Sequence, residues 1–203
     1  MSGSRRKSAT GVNIVDGTLQ IVELESSGGV VELLALAQYD LSCSYTPEGL
    51  ESAETSAELE ETFARAESEC EIQFDNPLVC LDPRAYWIKW WPQLPNSTDK
   101  LEHAQVRWET EQFLSDEIEE YGVDFAFTDH CGIAVASRKR ALEIYLDLCE
   151  LAGLSDPEFD VAPLALFNAV EASDSIELAD QQLVLDITSS GASALLLVDG
   201  DLA

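Results

Sequence analysis

Apolar and polar residues alternate over residues 10–24 (TGVNIVDGTLQIVEL), and a diverged copy of that stretch returns at 183–197 (LVLDITSSGASALLL). In each copy a short apolar strand reaches Asn13 or Asp186 and an isoleucine, passes a small polar turn and enters a second apolar strand. With Asn13 set over Asp186, Val12 falls over Leu185, Ile14 over Ile187, Gly17 over Ser190, Thr18 over Gly191, Val22 over Leu195 and Leu24 over Leu197. The pattern predicts a duplicated β-hairpin. Its turn residues let backbone N–H groups point outward together, a geometry suited to phosphate oxygens.

Residues 1–9 read as a flexible basic tail. Strands are predicted at 11–14, 19–24 and 30–39, the last two joined by the Ser-Ser-Gly-Gly turn at 26–29. A polar surface loop follows at 42–57. Thr55 and Glu58 have capping-box spacing, and Leu59, Phe63, Ala66 and Cys70 recur at helical intervals, which predicts a helix over 56–69. Pro77 and Pro83 bracket the apolar run LVCLD, read as a buried strand. Next come Tyr86, Trp87, Ile88, Lys89, Trp90 and Trp91, a strand that puts three aromatic-rich positions on each face. Thr98 or Asp99 caps a helix to about 114 with Leu101, Ala104 and Trp108 inward. Strands follow at 125–127 and 132–136. Ser137 is read as the cap of a helix with Leu142, Tyr145, Leu146 and Cys149 inward and Gly153 as its left-handed terminator. Pro163 opens another helix, and Asp199-Gly200 signals a last hairpin turn. Strands alternating with helices make this an α/β chain.

The chain has 203 residues with 46% hydrophobic residues, enough for a real core. Lys and Arg number 11 against 39 Asp and Glu, a formal charge of −28. Such a surface repels nucleic acid and anionic lipid and favours basic partner segments. The five cysteines show neither zinc-site nor disulfide spacing, and three sit in apolar runs, which suits a reducing cytoplasm. No apolar run approaches the ~20 residues of a membrane span. His103 and His130 lack a second ligand at helical spacing, so neither a metal site nor histidine catalysis is expected, and no nucleophile elbow or P-loop occurs.

The paired hairpins resemble the two phosphate hairpins of the actin-like ATPase fold. More narrowly, five blocks in order resemble the PilM-like family of type IV pilus assembly proteins, relatives of the cell-division protein FtsA. GVNIVDGTLQIVEL stands where that family has a GIDIGSSSIKVVEL-like string, and WIKWWPQLP stands where a strand ends in Leu-Pro. VRWETEQFLSDEIEEYGVDFAF resembles its Glu-containing helix and acidic segment. The last two blocks are IAVASRKRALEIYLDLCELAGLSDPEFDVAPLALFNAV and LVLDITSSGASALLLVDGDL.

The resemblance implies an actin-like (ribonuclease H-like) α/β domain over 10–83 and 128–175, a small α+β subdomain inserted at 84–127, and the start of a second actin-like domain at 180–203, inside which the chain is expected to end. It implies that the loops with Asn13, Asp16, Gly17 and Thr18, and with Asp186, Ser189, Ser190 and Gly191, correspond to the family's ATP and Mg²⁺ site. The first loop departs from the pattern. Asn13 replaces the metal-facing Asp, Val15-Asp16 replaces Gly-Ser, and Gln20 replaces Lys, so charge for Mg²⁺ is lost, a Cβ is added and a carboxylate faces phosphate. In the second loop Thr188 replaces a glycine. No bound cofactor, metal or catalytic residue is therefore expected. The expected function is a non-catalytic cytoplasmic scaffold, held at the inner membrane through partners. The resemblance further implies docking of an N-terminal peptide of an inner-membrane pilus protein in the groove beside the inserted subdomain, where Trp87, Trp90 and Trp91 can serve as anchors. The alternatives are an active actin-like ATPase, for which an intact first loop would be the discriminating feature, and an actin-like component of type II secretion or cell division.

Overall fold

Alternation and turn chemistry produce the first three strands. In the computed structural model, which describes residues 7–15, 17–28, 30–43, 45, 49–74, 76–92, 103–127, 131–172, 181–187, 192–198 and 201–202, these are β1 (Lys7–Val15), β2 (Thr18–Ser27) and β3 (Val30–Asp40). Gly17 (φ 72°) and Gly28 (φ 63°) take left-handed conformations at the two turns that join them, which a residue with a Cβ adopts only at a cost. Of the tail expected over 1–9, Lys7, Ser8 and Ala9 are strand residues paired with Ser26, Glu25 and Leu24, and residues 1–6 lie outside the described residues. A bulge at Glu23/Leu24 sets Ala35 opposite Glu23 and Leu33 opposite Leu24, leaving Leu34 as the extra residue.

The chain divides into two units, residues 1–84 with 143–160 and residues 85–142 with 161–203. The first is built on a five-stranded sheet in the order β3-β2-β1-β4-β8, where β4 is Leu78–Leu81, parallel to β1, and β8 is Glu158–Val161. Strand β8 carries only a short, mixed pattern and was not anticipated. Helix α1 (Ala53–Cys70) buries Thr55, Leu59, Phe63 and Ala66, a stripe spaced by four, four and three residues. Its cap is Ser52, whose hydroxyl accepts from Glu54 N–H at 3.3 Å, and not Thr55. The expected capping box fails because Thr55 is buried in the helix and Glu58 is engaged elsewhere. Its carboxylate accepts from Ser42 N–H and Oγ–H, Cys43 N–H and Tyr45 Oη–H at 2.6–2.9 Å, pinning the 42–45 loop to the helix.

Helix α3 (Lys139–Leu151) contributes Tyr145, Leu148 and Cys149 to this unit's core, and the boundary between units falls in its first turns. Leu146, expected inward, is exposed; Ile144 and Leu148 take the inward positions. Gly153 does terminate the helix, with φ 76° and a Leu154 N–H to Cys149 carbonyl bond of 2.8 Å. Ser137 does not cap it. That residue is still in a strand, and its buried hydroxyl donates to the Ala85 carbonyl at 2.7 Å.

The second unit holds two antiparallel three-stranded sheets. One is β5 (Tyr86–Pro92), β7 (Cys131–Arg138) and β6 (Tyr121–Phe127), with β7 in the middle. This revises the expected boundary at 128, since residues 131–138 complete the sheet begun by the inserted segment and do not enter the five-stranded one. A strand of 131–138 alone would have unpaired edges, and the two flanking strands satisfy both. Helix α4 (Ala162–Ala172), with Pro163 in its first turn, also falls in this unit, outside the 128–175 domain expected for it. The other sheet is β9 (Gln181–Ile187), β10 (Ala192–Val198) and β11 (Asp201–Leu202), in the order β11-β10-β9. Cys131 and Ile133 of β7 pack with Leu195, Leu197 and Leu202, and Ile88, Trp90, Phe167 and Val184 close that core. The expected cap at Thr98 or Asp99, Leu101 and the turn at 199–200 lie outside the described residues.

Candidate functional site

The first hairpin places Asn13 opposite Gln20 and Val15 opposite Thr18, with Thr18 also paired to Asp40 of β3. Asn13 and Thr18 are half-buried and Gly17 is exposed; Asp16 lies outside the described residues. The Gly17 carbonyl accepts Leu41 N–H at 2.7 Å, so the turn is tied to the chain leaving β3. Around it the described side chains supply Asn13, Gln20 and Asp40, with no cation to meet a phosphate. In the second hairpin Asp186 is half-buried opposite Ser193, and Ser189, Ser190 and Gly191 lie outside the described residues. The shift that carries Asn13 to Asp186 also carries Gln20 to Ser193, so the two hairpins share one register. Among the described residues no group of His, Cys, Asp and Glu is arranged to hold a metal.

Three cysteines of the first unit have thiols held in the protonated form. Burial pushes the Cys80 and Cys149 thiols up to about 12, and both line a small apolar cavity of about 30 Å³ under β1 and α1. Cys43 is raised by its hydrogen bond to Glu58, by desolvation and by the carboxylate's charge.

Strand β5 is where side chains converge. The central strand β7 offers Gly132, Ala134 and Ala136 on one face, opposite Trp91, Lys89 and Trp87 of β5 and Phe127, Phe125 and Val123 of β6. Small residues in the middle leave the volume that large rings on both flanks fill. Helix α2 (His103–Glu111) covers one end of this face through Val106, which packs with Trp91, Ala134 and Phe125. Trp91 is only 7% exposed and core, while Trp90 is half-buried on the opposite face, where it packs against Cys131 and Ile133. Trp87 differs. It is 41% exposed and rests edge-on against Tyr121, the ring centroids 5.3 Å apart.

Two further aromatics were not expected on the surface. Phe113 is 55% exposed, with the Lys89 Nζ 2.8 Å from its ring centroid and 5.6 Å from that of Trp91. Trp108, expected inward on its helix, is exposed; the short α2 turns Val106 and Thr110 inward instead, the Thr110 hydroxyl donating to the Val106 carbonyl at 2.7 Å. The sequence signal was available in that Val106–Thr110 spacing, but the tryptophan outweighed it as the apolar marker. At the edge of the face Arg138 pairs with Asp116 at 2.6 Å and stacks 5.8 Å from the Tyr121 ring, fixing the loop after α2. The result is a row of Trp87, Lys89 and Phe113, backed by buried Tyr121 and partly open to solvent.

The fold is similar to those of several solved structures. The chain aligns with a chain of the PilM–PilN type IV pilus biogenesis complex at a TM-score of 0.73 and 27% identity, covering 96% of this chain and 59% of that one. The cytoplasmic domain of EpsL, an inner-membrane component of the Vibrio cholerae type II secretion system, matches at a TM-score of 0.53 and 15% identity over 95% of this chain and 71% of that one. A Bacteroides thetaiotaomicron protein with an actin-like ATPase fold matches at 0.51 and 12% identity, over 96% and 67%. No family model and no curated relative matches. The fold is the mixed α/β actin-like ATPase fold, and no described helix is long and apolar enough to cross a membrane.

Proposed function

For a PilM-like chain with this surface, we propose a scaffold role in type IV pilus biogenesis, in which the aromatic row on β5 docks a short cytoplasmic peptide of an inner-membrane pilus protein. The observation that carries it is the row itself: Trp87 and Phe113 are exposed although Trp91, two strand positions beyond Lys89, is core. Exposed large aromatics on a rigid base are the residues on which binding energy concentrates. The charge of −28 favours a basic peptide, and it steers the encounter more than it holds the complex. The reading is of a non-catalytic scaffold, supported by a first hairpin that has Asn13 and Gln20, with Asp40 of β3 beside its turn, where a phosphate site needs positive charge.

The test is peptide affinity measured beside thermal stability, using a labelled peptide with the N-terminal cytoplasmic sequence of the cognate inner-membrane pilus protein. Trp87→Ala is expected to weaken binding by about 2 kcal/mol with little change in melting temperature. Trp91→Ala is expected to cost about 3–5 kcal/mol of stability. Full affinity in folded Trp87→Ala and Phe113→Ala variants would remove the docking assignment.

A further inference from the structure

The unit formed by residues 1–84 and 143–160 carries a surface unrelated to the hairpin turn. Just past α1, Glu71 has φ 55° and Asn76 φ 50°; just past α3, Gly153 has φ 76° and Asp156 φ 48°. Three of these four left-handed residues are not glycine, and such conformations persist only where surrounding structure holds them. The holding contacts are present. Asn76 N–H donates to the Ser155 carbonyl at 3.0 Å, Ser155 N–H to the Phe74 carbonyl at 3.3 Å, and Thr10 Oγ1–H to the Gln73 carbonyl at 2.9 Å. The two segments are thereby clamped to each other and to β1.

Two clefts open beside the clamp and share Gly153 and Ser155. One, of about 370 Å³, is lined by the edge-on pair Phe63 and Phe74, by exposed Leu151, and by Glu60 and Glu67. The other, of about 620 Å³, runs past exposed Leu146 and past Pro157, with Glu150 and Asp156. Every ionisable side chain lining either cleft is a carboxylate. In a chain of charge −28 the carboxylates alone do not mark this surface; what sets it apart is that Leu146 and Leu151 stand exposed beside two clefts over a clamped backbone.

We propose that this surface docks a basic amphipathic helix of a partner protein, with its apolar side chains beside Leu146 and Leu151 and its Lys or Arg side chains on Glu60, Glu67, Glu150 and Asp156. The carboxyl end of α3 adds its own partial negative charge at the same place. A helix fits better than an extended peptide. The walls are the sides of α1 and α3 and the two segments that leave them, and neither cleft is lined by a strand edge that an extended peptide could join.

The experiment uses the whole chain and a labelled synthetic Leu/Lys peptide of about 18 residues with leucines at helical spacing, at about 0.15 M salt. A control peptide has the same composition with the spacing scrambled. The amphipathic peptide is expected to bind the better of the two. Leu146→Ser with Leu151→Ser, and separately Glu60→Lys with Glu67→Lys, should each lower its affinity about tenfold or more. Glu32→Lys with Glu171→Lys, the same charge change placed elsewhere, should lower it about twofold at most. Both leucines face solvent, so the serine variants should melt as the parent does; should they unfold, the carboxylate pair alone decides. Equal binding of the scrambled peptide, or equal effects of the two charge reversals, would mean that net charge alone attracts and would overturn the proposal. Binding to phosphatidylglycerol vesicles that the serine variants abolish would overturn it too, by making this a lipid-facing surface.

Discussion

The two hairpins share a register and bury opposite faces. In the first, Val12, Leu19 and Ile21 point into the core under α1; at the matching positions of the second stand Leu185, Ala192 and Ala194, all exposed. The contrast is wide, Leu19 being 0% exposed and Leu185 57%. The second hairpin instead buries Leu195 and Leu197, the counterparts of half-buried Val22 and Leu24. Register is local, set by the turn and by backbone pairing, whereas the buried face is chosen by whatever packs on it. For β1 and β2 the covering elements are α1 and α3; for β9 and β10 they are β5, β7 and α4.

Truncating the two hairpins at matching places is the strongest way to break this contrast. Leu19→Ala should cost about 2–5 kcal/mol in denaturant unfolding, as large-to-small changes in packed cores do. Leu185→Ala should cost under about 1 kcal/mol, because little of its surface leaves water on folding. Equal costs would mean that the outer face of β9 is covered after all.

A smaller effect comes from the loop that follows β3 in the first unit. Burial alone would raise the Glu58 carboxyl, but the hydrogen bonds from Ser42, Tyr45 and the Ser42 and Cys43 amides outweigh it and hold the group well below the usual carboxylate range. A carboxyl depressed in the folded state contributes stability above its unfolded value near 4.3 and loses it as pH falls through the folded value. Unfolding free energy should therefore decline below about pH 5, and Glu58→Gln should flatten that decline. An unchanged slope in the variant would place the acid sensitivity elsewhere.

Smaller again is Gly17→Ala. A Cβ there would meet only the Leu41 carbonyl oxygen at 3.7 Å, so space is not the obstacle, but φ of 72° costs about 1 kcal/mol for a residue with a Cβ. The smallest expected effect is none. Calorimetric titration of the chain with Mg-ATP should give no heat of binding in the micromolar range, since Asn13 and Gln20 supply no charge; saturable binding would restore the ATPase alternative.

Much of the fold was legible because it follows from short-range chemistry. The repeat at 10–24 and 183–197, the glycines at 17, 28 and 153, the stripe on α1 and the proline opening α4 each act over a few residues, and each yielded the expected element. Capping of α1 and α3 was misread for a physical reason: Thr55, Glu58 and Ser137 are drawn to partners inside the fold. The site was legible in part, as an aromatic strand whose alternation is plain in the letters.

Which of its tryptophans faces water was not. Trp87 and Trp91 share a face of β5 and differ only in whether Val106 of α2 lies above them, a contact made across 15 residues of chain and invisible to periodicity. The sequence by itself determined the hairpin register, the helix stripes, the acidic charge and the absence of a cation from the first turn, since those depend on neighbours along the chain. Tertiary structure alone decided that β7 joins β5 and β6, that Trp91 is core while Phe113 is surface, and that opposite faces of the two hairpins are buried. A strand with apolar residues on both faces can bury either one, and the choice belongs to whichever element removes more apolar surface from water.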